Sequence, residues 1–260
     1  TKNAGISKWN KGDLELNKWP RPKVSQLPNK IMLLEICTNS YQSAKNAQEA
    51  GAHRIELCQE LSVGGITPSY GLLKQVIENL EIPVFVLIRP RGGNFVYSEV
   101  EFEIMKSDIQ LCKDLGCQGI VSGVLNADNS IDISRTRELV ELSKPLAFTF
   151  HRAFDEVLNP KQALEQLIGL GVDRVLTSGQ EATAELGIAL LQELNEISKS
   201  RITILAGAGI SAENALTFKK AGLNEIHASA SSKFETDNSL FSMPLTYSDP
   251  KKIKAILNAI

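Results

Sequence analysis

The chain has 260 residues, 43% of them hydrophobic and 22% charged, enough apolar surface for one large core. Lys and Arg number 28 against 30 Asp and Glu, a net charge of -2, so no global basic field draws nucleic acid or anionic lipid, and neither is an expected partner. No stretch reaches the roughly 18 consecutive apolar residues of a membrane span and no signal-peptide pattern opens the chain, so the expected location is cytoplasmic. Four scattered cysteines without a CxxC pair read as free thiols, not a disulfide framework.

Residues 1–31 carry seven Lys and Arg against two Asp and Glu, a net of +5 that leaves -7 for the rest. Pro20, Pro22 and Pro28 interrupt a run without helix or strand periodicity. The segment reads as an irregular extension, with Trp9 and Trp19 as anchors, and Met32 as a candidate start of the patterned chain. From Leu33 onward, short Ile/Val/Leu/Phe runs alternate with helical-period segments, and eight such runs begin near Leu33, Arg54, Val84, Gly119, Leu146, Arg174, Ile202 and Glu225. Asn39 or Ser40 suits the N-cap of the first helix, Pro68 and Pro160 suit its first-turn position in later helices, and Ser211 suits the cap of the seventh. Eight strand–helix pairs in about 230 residues predict one α/β domain over 32–260, a closed (β/α)8 barrel, with a doubly wound open sheet as the alternative.

A Gly-x-x-x-Ile/Val unit closes four helical runs, at Gly51, Gly116, Gly171 and Gly222, as a left-handed cap followed by a short turn into a strand. If the apolar residue four after each glycine faces the helices, strand alternation turns Glu56, Val121, Leu176 and His227 inward as one layer. The next inward set, Cys58, Gly123, Ser178 and Ser229, is small and leaves room for a ligand at the C-terminal mouth, where barrel ligands bind.

The first two strands repeat a Glu-apolar-Cys unit, Glu35-Ile36-Cys37 and Glu56-Leu57-Cys58. Two carboxylates inside a barrel need cations close by, and Arg89 and Arg91 at the end of the third strand are expected to supply them on one face. Either this is a buried network that only orders the barrel, or Glu35 and Glu56 exchange protons while Arg89 and Arg91 bind an anion. The fifth strand ends His151-Arg152-Ala153-Phe154-Asp155 and turns His151 toward the axis, while His53, ahead of its strand, is expected at the surface. After the seventh strand, Gly207-Ala208-Gly209-Ile210-Ser211 is either a phosphate-binding turn into a helix or merely a tight turn. Thr177-Ser178-Gly179-Gln180 adds donors after the sixth strand, and Thr67 suits a helix cap. Cys37 and Cys58 read first as small buried hydrophobes, with a pair able to share a soft cation as the alternative; Cys112 and Cys117 read as structural. The polar, loop-like stretch 232–249 precedes a final amphipathic helix.

The stretches LLEICTNS, GAHRIELCQELSVGGITPSYG, VLIRPRGGNFVYS, TFHRAFD, RVLTSGQ and LAGAGISAEN, spanning most of residues 33–230, resemble the CutC family of copper homeostasis proteins. The resemblance implies a cytoplasmic TIM-barrel protein, a homodimer, with cuprous ion, Cu(I), bound through cysteines; the positions here that match are Cys37 and Cys58. Two functions therefore stand open. One is a copper-handling protein. The other is a lyase- or isomerase-type enzyme on a small phosphorylated or carboxylated substrate, with Glu35, Glu56 and His151 catalytic. Its substrate-binding set would be Arg89, Arg91, Arg152, Asp155, Ser178, Gly207, Gly209, His227 and Ser229. A divalent catalytic metal on Glu, His and Cys ligands ranks third.

Overall fold

In a computed structural model the chain divides into two units, Thr1–Lys30 and Ile31–Ile260. The structure describes residues 32–234 and 245–260; the expected basic extension, with Trp9 and Trp19, lies outside them. Eight parallel strands close into a barrel in sequence order: β1 (Leu33–Thr38), β2 (Arg54–Leu57), β3 (Val84–Leu87), β4 (Gly119–Ser122), β5 (Ala147–Phe150), β6 (Arg174–Thr177), β7 (Thr203–Gly207) and β8 (Glu225–Ala228). Closure comes from β8 pairing with β1, Glu35 standing beside His227. Each run begins within one residue of its expected start. The open-sheet alternative is thereby set aside.

Helices α1 (Tyr41–Ala50), α2 (Tyr70–Asn79), α3 (Glu99–Leu115), α4 (Ile133–Ser143), α5 (Pro160–Gly169), α6 (Ile188–Ser198) and α7 (Ala215–Lys220) alternate with the strands, and α8 (Pro250–Ala259) ends the chain. Their starts follow local chemistry. Ser40 caps α1, Ser98 and Glu101 form a reciprocal capping box on α3, and Pro160 sits in the first turn of α5 behind Asn159. Two expected starts differ. Ser69, not Thr67, caps α2, which leaves Pro68 ahead of the cap, because the Thr67 hydroxyl accepts the Arg89 N–H. Asn214 heads α7, since Ser211 is drawn into the preceding turn, its N–H donating to the Asn214 side chain. Gly51, Gly116, Gly171 and Gly222 all have positive φ, between 78° and 90°, as helix-ending glycines require.

Ile55, Ile120, Val175 and Ile226, four residues after those glycines, are fully buried between strands and helices in the outer core. A smaller apolar cluster of Cys37, Cys58, Phe85, Leu87 and Val121 fills one side of the barrel interior. His53 is half-buried, not a free surface residue: its Nδ1 accepts the Leu34 N–H at 2.9 Å and ties the entry of β2 to β1. The stretch read as a loop contains an antiparallel ribbon, β9 (Ser231–Phe234) with β10 (Leu245–Ser248). Ser248 anchors it to β1, its hydroxyl donating to the Cys37 carbonyl.

Candidate functional site

The floor of the site is set by the first residues of the even strands. With Ile55, Val175 and Ile226 turned outward, alternation turns Arg54, Arg174 and Glu225 inward, one step below Glu56, Leu176 and His227. Arg54 donates to both Glu35 and Glu225, and Arg174 Nε donates to the same Glu225 oxygen at 3.0 Å. Both guanidinium carbons lie 5.1 Å from the centre of the Phe85 ring. Glycine at 119 makes room for that ring, since a Cβ there would stand 2.5 Å from it.

Above this floor the His227 ring lies between two carboxylates: Nδ1 donates to Glu35 at 2.7 Å and Nε2 is 3.7 Å from Glu56. Burial opposes the Glu35 charge, but Arg54 and His227 outweigh it and hold the carboxyl down at about 2. Burial likewise opposes a charge on His227, yet Cys37, Glu35 and Glu56 around it raise its pKa well above the ordinary value. Glu56 is raised by burial, which the charge of His227 offsets only in part. Three carboxylates (Glu35, Glu56, Glu225) thus face three cations (Arg54, Arg174 and the imidazolium), so the polar column is neutral with every member ionised.

Cys37 Sγ lies 3.6 Å from Cys58 Sγ, and this contact together with burial pushes the Cys37 thiol well up, so it rests as a neutral thiol. Donor atoms of Cys37, Glu56 and His227 lie within 4.8 Å of one another, close enough to surround one ion. A sulfur, an imidazole and a carboxylate suit a borderline or soft ion once Cys37 and His227 release their protons.

Cys37, Glu56 and His227 form the bottom of a cavity of about 430 Å³ that opens at the C-terminal ends of the strands. Leu87, Leu176 and Phe95 give it apolar walls. Arg89, only 5% exposed, reaches it from the end of β3, its terminal nitrogens donating to the carbonyls of Val63, Gly65 and Gly93. His151, 4% exposed, stands beside Phe95 with its Nδ1 accepting the Ala153 N–H at 3.2 Å. Burial and the charge of Arg89 hold its pKa down at about 3, so the ring is neutral with its hydrogen on Nε2. The ring packs close to β4's end: a Cβ on Gly123 would be 2.8 Å from its Nδ1.

Residues 32–232 of the chain match the CutC family model. A CutC family protein of Proteus mirabilis is 53% identical over 197 residues, covering 76% of this chain and 78% of that one. One from Bacteroides fragilis is 50% identical over 203 residues, 77% of this chain and 81% of that one. The chain belongs to the CutC family. The crystal structure of CutC from Streptococcus agalactiae, named for copper homeostasis, superposes with a TM-score of 0.73 at 35% identity, over 76% of this chain and 99% of that one. An aldolase, QR15, shares the fold at a TM-score of 0.58 and 17% identity.

In this CutC-family barrel, Cys37, Glu56, Arg89, His151, Arg152, Asp155, Gly209, His227 and Ser229 of the sequence-selected residues border the cavity, and Glu35, Cys58, Arg91, Ser178 and Gly207 do not. Glu35 lies a layer deeper. Arg91 faces away because β3 ends at Leu87 and the chain bends through Pro90. Its guanidinium is held by Glu101 and the carbonyls of Gly92, Asn94 and Val96. Asp155 borders the mouth, but its oxygens are occupied by the Thr177 hydroxyl, the Ser178 and Gln180 amides and Arg152. Arg152 remains half exposed there and also donates to Ser178 Oγ at 3.0 Å. Past β7, Ala208 and Gly209 take positive φ and the Gly209 carbonyl accepts from Asn214; the turn holds itself together ahead of a six-residue α7. A second cavity, also about 430 Å³, adjoins the first at Gly209, Ile210 and Ser229 and runs toward Lys252.

The cations that pair with Glu35 are therefore Arg54 and His227, not Arg89 and Arg91. Arg54, Arg174 and Glu225 escaped the sequence reading, although the alternation that exposes Glu56 and His227 identifies them when carried one step toward each strand's start.

Proposed function

We propose that the barrel is an enzyme of lyase or isomerase type acting on a small phosphorylated or carboxylated substrate, with Glu56 as the group that exchanges a proton with it. The observation that carries this reading is the Glu35–His227–Glu56 arrangement at the cavity bottom: a carboxyl made more basic by burial, facing the cavity and backed by an imidazole that Glu35 fixes. A substrate C–H proton would pass to Glu56 while its electron pair stays on the substrate, and after exchange with solvent a proton from Glu56 would return to the same or a second atom. Nothing is oxidised. Glu35, held ionised one layer below, positions His227 and does not itself exchange protons. Arg152 at the mouth and the adjoining cavity toward Lys252 suit the anionic end of the substrate. Among the described residues no lysine borders the main cavity, which disfavours Schiff-base chemistry there.

The test is solvent-deuterium incorporation, followed by NMR, into a panel of sugar phosphates and small organic acids. Exchange into at least one member, abolished in Glu56→Gln, is the expected result; no exchange into any member removes the reading.

A metal-handling role has its own support in the Cys37, Glu56 and His227 donors and in the family's name. Cu(I) would be cargo, held by Cys37 with Cys58 or His227 as second donor. Against it stands a cavity far larger than one ion needs. Unchanged Cu(I) affinity in a Cys37→Ser, Cys58→Ser double variant under reducing conditions would remove this second role. Family membership is also the support for a cytoplasmic homodimer, which light scattering on the purified protein tests at the level of assembly.

A further inference from the structure

The His227 imidazole has one nitrogen tied down and one left open. Nδ1 donates to Glu35 at 2.7 Å, which fixes the ring from the neighbouring strand. Nε2 stands 3.7 Å from the Glu56 carboxylate, beyond hydrogen-bond length, and it is not one of the unpartnered polar atoms sealed from solvent. Cys37 Sγ also lies within 4.8 Å, but as a neutral thiol it is a weak acceptor. The side chains of His227 and Glu56 both border the cavity, with 12% and 6% exposure against 1% for Glu35 below them, so a molecule in the cavity reaches both. Three buried carboxylates, Glu35, Glu56 and Glu225, meet only two guanidinium groups, Arg54 and Arg174, so charge balance places a proton on each ring nitrogen of His227.

We propose that His227 Nε2–H is the acid partner of Glu56, holding and protonating a substrate carbonyl oxygen while Glu56 takes the proton from the adjacent carbon, and that the substrate is an enolisable carbonyl compound. This rests on the reading of Glu56 as proton acceptor. The 3.7 Å gap suits an oxygen and a hydrogen borne by adjacent substrate carbons, since donor and acceptor can each meet one of them at hydrogen-bond length. As the C–H bond breaks, its proton goes to Glu56 and its electron pair becomes the C=C bond. The carbonyl π pair moves onto the oxygen, which takes the Nε2 proton. His227 ends neutral, still donating through Nδ1 to Glu35, and Glu56 ends as the acid. One positive and one negative charge vanish together, so no lone charge is left in surroundings that solvate it poorly.

The panel of sugar phosphates and small organic acids tests this carbon by carbon. Deuterium should enter next to a carbonyl, and His227→Gln, which keeps an N–H donor but cannot release its proton, should slow that entry about a hundredfold or more. Entry only at carbons with no neighbouring carbonyl, or a wild-type rate in His227→Gln, would overturn the proposal and leave the role of Glu56 standing. Exchange into no member, or exchange that survives Glu56→Gln, removes both readings. A second measurement leaves His227 unaltered. Glu56→Asp keeps the negative charge but draws the carboxyl back from the substrate. Bound to it, the panel member that exchanges, labelled with 13C at its carbonyl, should show an infrared carbonyl band lowered in frequency by the Nε2–H donor. A band unmoved at saturation is incompatible with that donor holding the oxygen.

Discussion

Arg54 bridges Glu35 and Glu225 against the face of Phe85, so removing its charge leaves two buried carboxylates with one cation each, His227 and Arg174. Breaking a buried ion pair from one side costs about 3–5 kcal/mol, and Arg54→Met is expected to lower the urea-unfolding free energy by that amount. His151 gives a pH dependence of known sign. Its folded pKa, about 3, lies below the ordinary 6.5, so between those values the unfolded chain binds the extra proton and stability falls on acidification. One proton contributes a slope of at most about 1.4 kcal/mol per pH unit, and His151→Gln should flatten the stability profile between pH 6.5 and 4.5, above the range where Glu35 takes part. Much of this chemistry was legible from alternation alone: Glu56, Cys37 and His227 meet because strand period and the glycine repeat fix which way they face. Arg89 was legible as inward, but not its attachment to the carbonyls of Val63 and Gly65, which depends on a loop some 25 residues away in sequence.

At the scale of elements, α6 and the turn after β6 approach so closely that glycine is required at both contact points. A Cβ on Gly187, which heads α6, would stand 2.0 Å from the Ser178 carbonyl oxygen, and one on Gly179 would stand 2.4 Å from that of Gly187. Backbone meets backbone there, so no rotamer change relieves the clash. Gly187→Ala is expected to destabilise the fold by roughly 1–3 kcal/mol in thermal or urea unfolding, and to loosen the Ser178 amide that Asp155 holds, seen as faster amide exchange at that turn. Strand starts were readable to within one residue because the glycine signal is local. The starts of α2 and α7 were not, since Thr67 and Ser211, each a fair cap by type, are engaged by Arg89 and Asn214, partners that only the folded turns bring near.

For the molecule as a whole, the barrel concentrates carboxylates and cations in one neutral column and leaves a large opening above it, so an occupant of that opening binds the folded chain alone. Ligand at a hundred times its Kd then adds about 2.7 kcal/mol of stability, and for a domain of this size roughly 5–10 °C in Tm. A dose-dependent rise of that order with at least one of the sugar phosphates or small organic acids is the expected melting behaviour. The β9–β10 ribbon joins the same end of the barrel through Ser248 and the Cys37 carbonyl, with Asn39 donating to Thr246, a placement that a polar stretch without clear periodicity did not disclose.

One bare position at the end of β4 has an outsized consequence. Because Gly123 leaves the imidazole of His151 room beside the backbone, a single methyl there, 2.8–2.9 Å from two ring atoms, would push the ring aside without removing a polar atom. Gly123→Ala should therefore leave a folded barrel with its His151 wall displaced, making residue 123 a steric dial on the shape of the cavity.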